Sequence, residues 1–338
     1  MQDPTTLRRK PTIRDVATVA GVSRGTVSRV INGGHWVSPE ARVAVEEAIR
    51  VTGYTANHAA RSLATGRANS LAFLLTEPHH LLFEDPTFSL LLRGAAEALA
   101  QRNMTLVLLV AGTAAERENV EHFVEAGHVD GVMLISSHES DPLLDSLLRA
   151  GVPTVCCGVP LGHRADVPAV SVDESGSARI MARHLRDRGA RRIAMIAGPR
   201  DTPGGRYRLE GFRDELGADF VPELVEEGDY SMDSGVAAMT RLLERTRDID
   251  AVFAANDRMA VGAITALRKA GLRVPEDVAV AGFDDSGLAG RHEPPLTTMR
   301  QPWDRISREM VAMLLDVLEG MPRDTMTLPT ELVVRESA

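Results

Sequence analysis

Between Thr12 and Asn32 the apolar positions fall twice at helical spacing, with a break between. Ile13, Val16, Ala17 and Ala20 recur at i, i+3, i+4 and i+7 and leave Arg14, Asp15 and Thr18 to water. Thr12 is placed to cap this helix, and Asp15 three residues on completes a capping-box pattern. Gly21 supplies the left-handed turn that ends it, and Val22 fills the angle before Ser23 caps a second helix. That second helix buries Val27, Val30 and Ile31. A third opens at Ser38-Pro39-Glu40, carries Val45, Ala48, Ile49 and Thr52 on one face, and stops at Gly53. Three helices in about 55 residues approach the smallest bundle that folds alone. The helix-prone stretch Asn57–Arg67 that follows is too short to be stable by itself.

From Leu71 onward strands alternate with helices. The pattern predicts strand 71–75, helix 88–102, strand 104–110, helix 114–126, strand 131–136, helix 141–150 and strand 153–157. A second block then runs as strand 169–172, helix 175–188, strand 192–197, helices 206–216 and 234–245, strand 251–254, helix 259–270 and strand 278–282. Continuously apolar strands joined by helical crossovers indicate α/β architecture, with parallel sheets covered on both faces. Two such blocks predict two doubly wound lobes, and ligands of such sheets sit beyond the carboxyl ends of the strands.

The chemistry follows from what these elements leave outside. The second helix of the head offers Arg24, Gly25, Thr26, Ser28 and Arg29 from its first turns, the placement a recognition helix needs to reach base edges in the major groove. Gly21-Val22-Ser23-Arg24-Gly25 also fits the G-x-S-x-G pattern of a hydrolase, but that elbow requires a preceding strand, and the preceding segment is helical. A helical hairpin without a DNA role is the plainer competitor. In the body, the strand ends carry Arg206 and Arg208, Asn256-Asp257, and Asp284-Asp285. Singly, each is explained by helix capping; their recurrence at several strand ends suits a cleft that hydrogen-bonds a polyhydroxy ligand.

Composition sharpens this picture. With 44% hydrophobic and 25% charged residues, the chain has the balance of a soluble globular protein, and its longest apolar runs are strand-sized. The N-terminal segment has no apolar core behind its basic residues, so no signal peptide is expected and a cytoplasmic location is. The two cysteines, Cys156 and Cys157, are adjacent and are expected to fill the end of a buried strand. The ten histidines lack metal-ligand spacing, so neither metal nor cofactor is expected. Residues 1–69 carry ten basic and five acidic side chains, a balance of +5, which leaves −14 for the rest of a chain whose total is −9. A basic head on an acidic body suits phosphate neutralisation by one part only.

The head TIRDVATVAGVSRGTVSRVIN, the stretch NHAARSLATGR, and the body segments AGP…RYRLEGF, AANDRMAVGAI, VAGFDDS and PPLTTMRQP together resemble the lactose/galactose-repressor family of bacterial transcription regulators. The resemblance implies a helix-turn-helix head and hinge helix followed by a two-lobed, type I periplasmic-binding-protein-like body. It implies a homodimer on double-stranded, pseudo-palindromic operator DNA, released or tightened by a small carbohydrate in the cleft. By position, Thr12, Ser23, Arg24, Gly25, Thr26, Ser28, Arg29, Asn32, Tyr54 and Asn57 fall in the DNA-binding set, and Ala60 and Leu63 on the hinge residues that enter the minor groove. Arg208, Asn256, Asp284 and Trp303 match effector-binding positions, with Asp85, Phe88 and Asp173 on the cleft wall.

The family pattern divides the chain into 1–56, 57–68 and 69–338, with lobe one about 69–168 and 299–328 and lobe two about 169–297 and 329–338. There are departures. Gly25 brings no side chain to a base-reading position, Ala56 stands where many members have proline, and no terminal heptads extend the chain, so no coiled-coil tetramer is expected. Phe83, Phe88 and Trp303 point to stacking on a disaccharide such as cellobiose or maltose. Three readings compete with an inducible repressor: a regulator that binds DNA tighter with its metabolite, a transport solute-binding protein, and an enzyme, for which no nucleophile–base pair is present.

Overall fold

The computed structural model describes residues 11–31, 36–54, 67–139, 141–163 and 167–338. The chain divides into two compact units, 1–68 and 69–338.

The smaller unit is the three-helix bundle, with α1 (Ile13–Ala20), α2 (Arg24–Ile31) and α3 (Pro39–Thr52). The Asp15 carboxylate accepts the backbone N–H of Thr12 at 2.7 Å, and Gly21 turns the chain at φ 65°. The Ser23 hydroxyl accepts from the Thr26 amide at 3.1 Å, and Ser38 caps α3 through the Ala41 amide at 3.2 Å. Val16, Val27 and Val45, one from each helix, are fully buried at the centre, and Tyr54 packs against this core. The expected hinge helix, with Asn57, Ala60 and Leu63, lies outside the described residues, as does Asn32.

The larger unit holds two six-stranded sheets. The first contains β1 (Ser70–Leu75), β2 (Thr105–Val110), β3 (Gly131–Ile135), β4 (Thr154–Cys157), β5 (Ala169–Val172) and β11 (Met326–Leu328), in the order β11-β5-β4-β3-β1-β2. The second contains β6 (Ile193–Ala197), β7 (Val225–Glu227), β8 (Ala251–Ala254), β9 (Ala279–Asp284), β10 (Thr297–Arg300) and β12 (Glu331–Val333), in the order β12-β10-β9-β8-β6-β7. Pairing is parallel except between β10 and β12. Alternation along β1 shows how the strands are covered. Leu71, Phe73 and Leu75 pack on the side of α5 (Pro86–Ala100) and α12 (Trp303–Leu318), whereas Ala72 and Leu74 face α6 (Ala114–Glu125) and α7 (Leu143–Arg149).

The structure moves one strand. Ala169–Val172, read as the start of the second lobe, pairs with β4 in register Cys156↔Ala169 and belongs to the first sheet. Conversely β10 pairs with β9, so residues 299 and 300 lie in the second sheet rather than in lobe one. The chain therefore crosses between sheets three times: after β5 through α8 (Glu174–Asp187), after β10 through α12, and between β11 and β12. Around the second sheet lie α8, α9 (Pro203–Leu216), α10 (Met232–Arg245) and α11 (Asp257–Lys269). The short helix α4 (His79–Glu84) precedes α5 and was not expected from the pattern.

Helices α10 and α11 meet at two glycines. A Cβ on Gly235 would stand 2.3 Å from the Met259 carbonyl oxygen, and one on Gly262 2.2 Å from that of Met232. Only hydrogen fits at either position.

Candidate functional site

In the head, Ser23, Arg24, Gly25 and Arg29 are exposed, while Thr26 and Ser28 are half-buried. The Ser23 and Thr26 hydroxyls lie 3.0 Å apart at the start of α2, so capping occupies part of their hydrogen-bonding capacity. Thr12 is likewise engaged, through its hydroxyl, with Asp15. The solvent face of α2 thus presents two guanidinium groups, with Arg29 held over its own helix by a bond to the Gly25 carbonyl at 3.2 Å.

In the body, a cavity of about 370 Å³ opens where strands of both sheets end. Residues following β1, β3, β5, β6, β8 and β10 all reach its wall, the place open parallel sheets reserve for ligands. Arg208, on the first turns of α9, is at its floor and only 6% exposed. Its Nε donates to Glu174 Oε2 at 2.6 Å, its Nη1 donates to the Ala255 carbonyl at 2.5 Å, and Asp284 Oδ1 lies 3.6 Å from Nη1. The guanidinium also sits over the Phe283 ring, 3.7 Å from its centre. Burial alone would lower the pKa of Arg208, but the carboxylates of Glu174 and Asp284 outweigh it and raise it. Burial pushes Asp284 well above the usual carboxylate range, although Arg208 pulls the other way.

Asn256 caps α11, accepting the Met259 amide at 2.8 Å, and its Nδ2 donates to the Tyr230 carbonyl at 3.0 Å. Asp284 accepts Gln301 Nε2 at 2.9 Å, and its carbonyl accepts Trp303 Nε1 at 3.0 Å. The indole is thereby fixed with its ring on the cavity wall. Asp85 and Phe88 also line the cavity, although Asp85 is engaged as the cap of α5 through the Thr87 amide at 2.9 Å.

Two expectations are corrected. Asp173 is exposed and caps α8 through the Gly176 amide at 2.8 Å; the next residue, Glu174, is the one that faces the cavity and holds Arg208. Phe83 is 85% exposed on α4 and is absent from the wall. The acidic pairs also separate. Asn256 and Asp284 line the cavity, whereas Asp257 is buried behind it on Thr298 and the Asp285 amide, and Asp285 holds Arg300 and Arg335. Glu174, Tyr230 and Gln301 were not legible as site residues, because each reaches the cavity only through a crossing or loop whose path is fixed by the tertiary fold. The cysteines are both free, with Cys156 buried and Cys157 on the wall.

At one side of the cavity the two sheets are tied directly. His138, after β3, bonds Glu77 at 3.0 Å through Nε2 and reaches across to Asp201, after β6, at 2.8 Å through Nδ1. The hydrogen bond to Glu77 and, against burial, that to Asp201 raise the His138 pKa from 6.5 to about 9. Burial would raise Glu77, but the bonds from His138 and Ser136 hold it below the ordinary value. A histidine whose folded pKa lies above its unfolded value stabilises the fold fully below the unfolded value and loses that contribution as pH rises through the folded one. The wild-type melting temperature is therefore expected to fall between pH 6.5 and about 9 by more than that of His138→Gln. Parallel melting curves for the two proteins across that range would show that His138 ties nothing.

An exposed recognition helix on one unit and, in the other, a cavity between parallel sheets into which several polar side chains converge define a DNA-binding transcriptional regulator with an effector-binding body. Residues 12–57 match the family of bacterial regulatory proteins of the lacI type, and residues 182–338 match the periplasmic binding protein-like domain. The HTH-type transcriptional regulator CelR of Thermobifida fusca is 45% identical over 336 residues, covering 98% of this chain and 99% of that protein. Among solved structures, a CelR–cellobiose complex superposes with a TM-score of 0.78 at 43% identity, covering 97% of this chain and 100% of the other. The lac repressor dimer bound to operator and the anti-inducer ONPF gives 0.85 at 28% identity, covering 97% and 99%. The chain belongs to the lacI family of bacterial regulatory proteins. Its relatives are regulators rather than enzymes, and no helix among the described residues is long and apolar enough to cross a membrane.

Proposed function

We propose that this chain is a cytoplasmic, homodimeric repressor without enzymatic activity that leaves its operator when a neutral carbohydrate fills the cavity of the body, cellobiose being the first candidate. The observation that carries the reading is the cavity's donor set. Arg208, Asn256, Asp284 and Gln301 converge there beside the Trp303 ring, offering donors, acceptors and a flat apolar surface. Its volume of about 370 Å³ falls within the range of ~300–1,000 Å³ usual for small-molecule sites. The kinship with CelR, solved with cellobiose, supports the choice of sugar. In the head, Arg24 and Arg29 read base edges, with Gly25 leaving the groove open beside them. Asn57, Ala60 and Leu63 follow the family's hinge positions. The dimer is supported by β2, an apolar edge strand whose Leu108 is 40% exposed.

The test combines melting and operator binding. At 100 times its Kd a ligand specific to the native state adds roughly 2.7 kcal/mol, so cellobiose should raise the melting temperature by several degrees and release fluorescent operator DNA. Tightened operator binding would establish co-repression instead. No thermal shift with cellobiose, maltose or glucose would remove the carbohydrate reading.

A further inference from the structure

Four buried side-chain atoms among the described residues have no hydrogen-bond partner: Thr87 Oγ1, Ser137 Oγ, His184 Nε2 and Arg258 Nη1. Three of these four residues line the cavity, and none belongs to the set built on Arg208. Buried polar atoms are ordinarily satisfied, and a cationic N–H left bare is the costliest kind to bury. Their concentration on one wall system therefore points to a ligand that completes them.

Arg258 is the strongest of the three. It is 8% exposed and lies on the first turn of α11, two residues beyond Asn256, so the helix sends the two side chains in divergent directions. Asn256 turns to Tyr230 within the second sheet's loops, while Arg258 reaches toward the first sheet, where Nη2 donates to Glu84 Oε2 at 3.0 Å. This leaves Nη1 unpaired. Thr87 lies on the same side, in the first turn of α5, with its backbone amide already committed to Asp85. Ser137 follows β3 and also borders a smaller neighbouring cavity, so its hydroxyl carries less of the argument.

We propose that Arg258 and Thr87 form a second hydrogen-bonding set in the cavity, which takes the hydroxyls of a second sugar ring and so selects disaccharides over monosaccharides. Arg258 donates through Nη1 to a hydroxyl or ring oxygen, and Thr87 Oγ1 donates to or accepts from a hydroxyl. A donor-only cation beside a hydroxyl, with no anionic partner required, suits a neutral polyol. The inference rests on the carbohydrate reading above and assigns the residues that set its length specificity.

The experiment is calorimetric titration of the full chain with cellobiose, maltose and glucose, for the wild type and for Arg258→Gln, Thr87→Val and Glu84→Gln. Glu84 is half-exposed, with 53% of its side chain in water, so losing Arg258 does not strand a buried charge there. Wild type should bind one disaccharide more tightly than glucose. Arg258→Gln should weaken that disaccharide by roughly 10–100-fold, the worth of a charged hydrogen bond, and Thr87→Val by roughly 3–10-fold. Both should leave the weaker glucose binding within about threefold, and Glu84→Gln should change neither sugar by more than that. Thr87→Val preserves shape and keeps the proposal testable if Arg258→Gln folds poorly. Disaccharide binding unchanged in both variants, or lost equally with glucose, would overturn the second set while leaving the carbohydrate reading intact, as would a loss in Glu84→Gln matching that in Arg258→Gln. A wild type silent to all three sugars would instead strike the carbohydrate reading itself.

Discussion

Arg208→Met is expected to abolish sugar binding and to destabilise the body, while the folded protein retains its grip on operator DNA. Arg208 has three partners at once: Glu174, the Ala255 carbonyl and Asp284. Methionine fills similar space over Phe283 but leaves Glu174 and Asp284 in a largely buried site without their cation. Removing one partner of a buried ion pair costs about 3–5 kcal/mol, because the remaining charge is uncompensated. The direction with pH follows from Asp284, whose carboxyl is already pushed well above its ordinary value by burial and would rise further without Arg208. A carboxyl raised in the folded state penalises folding only once pH exceeds its unfolded value near 4. Wild type already carries that penalty from its own raised Asp284, so the deficit of Arg208→Met should widen with pH only above the folded pKa of the wild-type carboxyl and should nowhere narrow as pH rises. Thermal melts from pH 4 to pH 9, with calorimetry against cellobiose at pH 7, would check it. A variant that melts in parallel with wild type and still binds sugar would take Arg208 out of the site.

Gly262→Ala should destabilise the second sheet although alanine is the better helix former. In an exposed helix this change would gain roughly 1 kcal/mol. Here the added methyl would stand 2.2 Å from the Met232 carbonyl oxygen and 2.8 Å from the Val236 amide nitrogen, backbone atoms that cannot step aside without separating α10 from α11. Overpacking of this kind costs about 1–3 kcal/mol, and Gly262→Val should exceed it. Because Asn256 caps α11 and Arg258 lies in its first turn, a displaced helix also moves these two cavity residues, so sugar affinity should fall along with stability. Denaturant unfolding provides the comparison. Coincident midpoints for wild type and Gly262→Val would mean that the two helices are not held at this crossing.

The head was legible almost residue by residue, because its signals are local. Thr12, Gly21, Ser23, Ser38 and Gly53 each act on the turn beside them, and the helices they bound begin and end where the apolar period does. In the body the strands before residue 283 were legible for the same reason, as continuous apolar runs, except β7, whose Val225-Glu226-Glu227 carries no such run and went unread. Which sheet a strand joins was not. Ala169–Val172 looks alike in either lobe, and only its pairing to β4 and β11, the latter more than 150 residues further on, settles the matter. The helix Trp303–Leu318 went unread although Ile306, Met310, Val311 and Leu314 mark its buried face. At the site, Arg208, Asn256 and Asp284 were found because strand ends announce them. Asp173 was mistaken for its neighbour because a cap and a lining residue one position apart share the same chemistry.

The three crossings between the sheets bear on how the protein is made. A ribosome delivers β1 to β5 early, yet the face of that sheet on which α5 packs is fully covered only when α12 emerges, and its edge stays open until Met326–Leu328 follow. The second sheet waits equally for β12, a few residues later. Neither lobe is complete before residues 326–333 have emerged, so the cavity at their strand ends takes shape only once both walls hold their last strands.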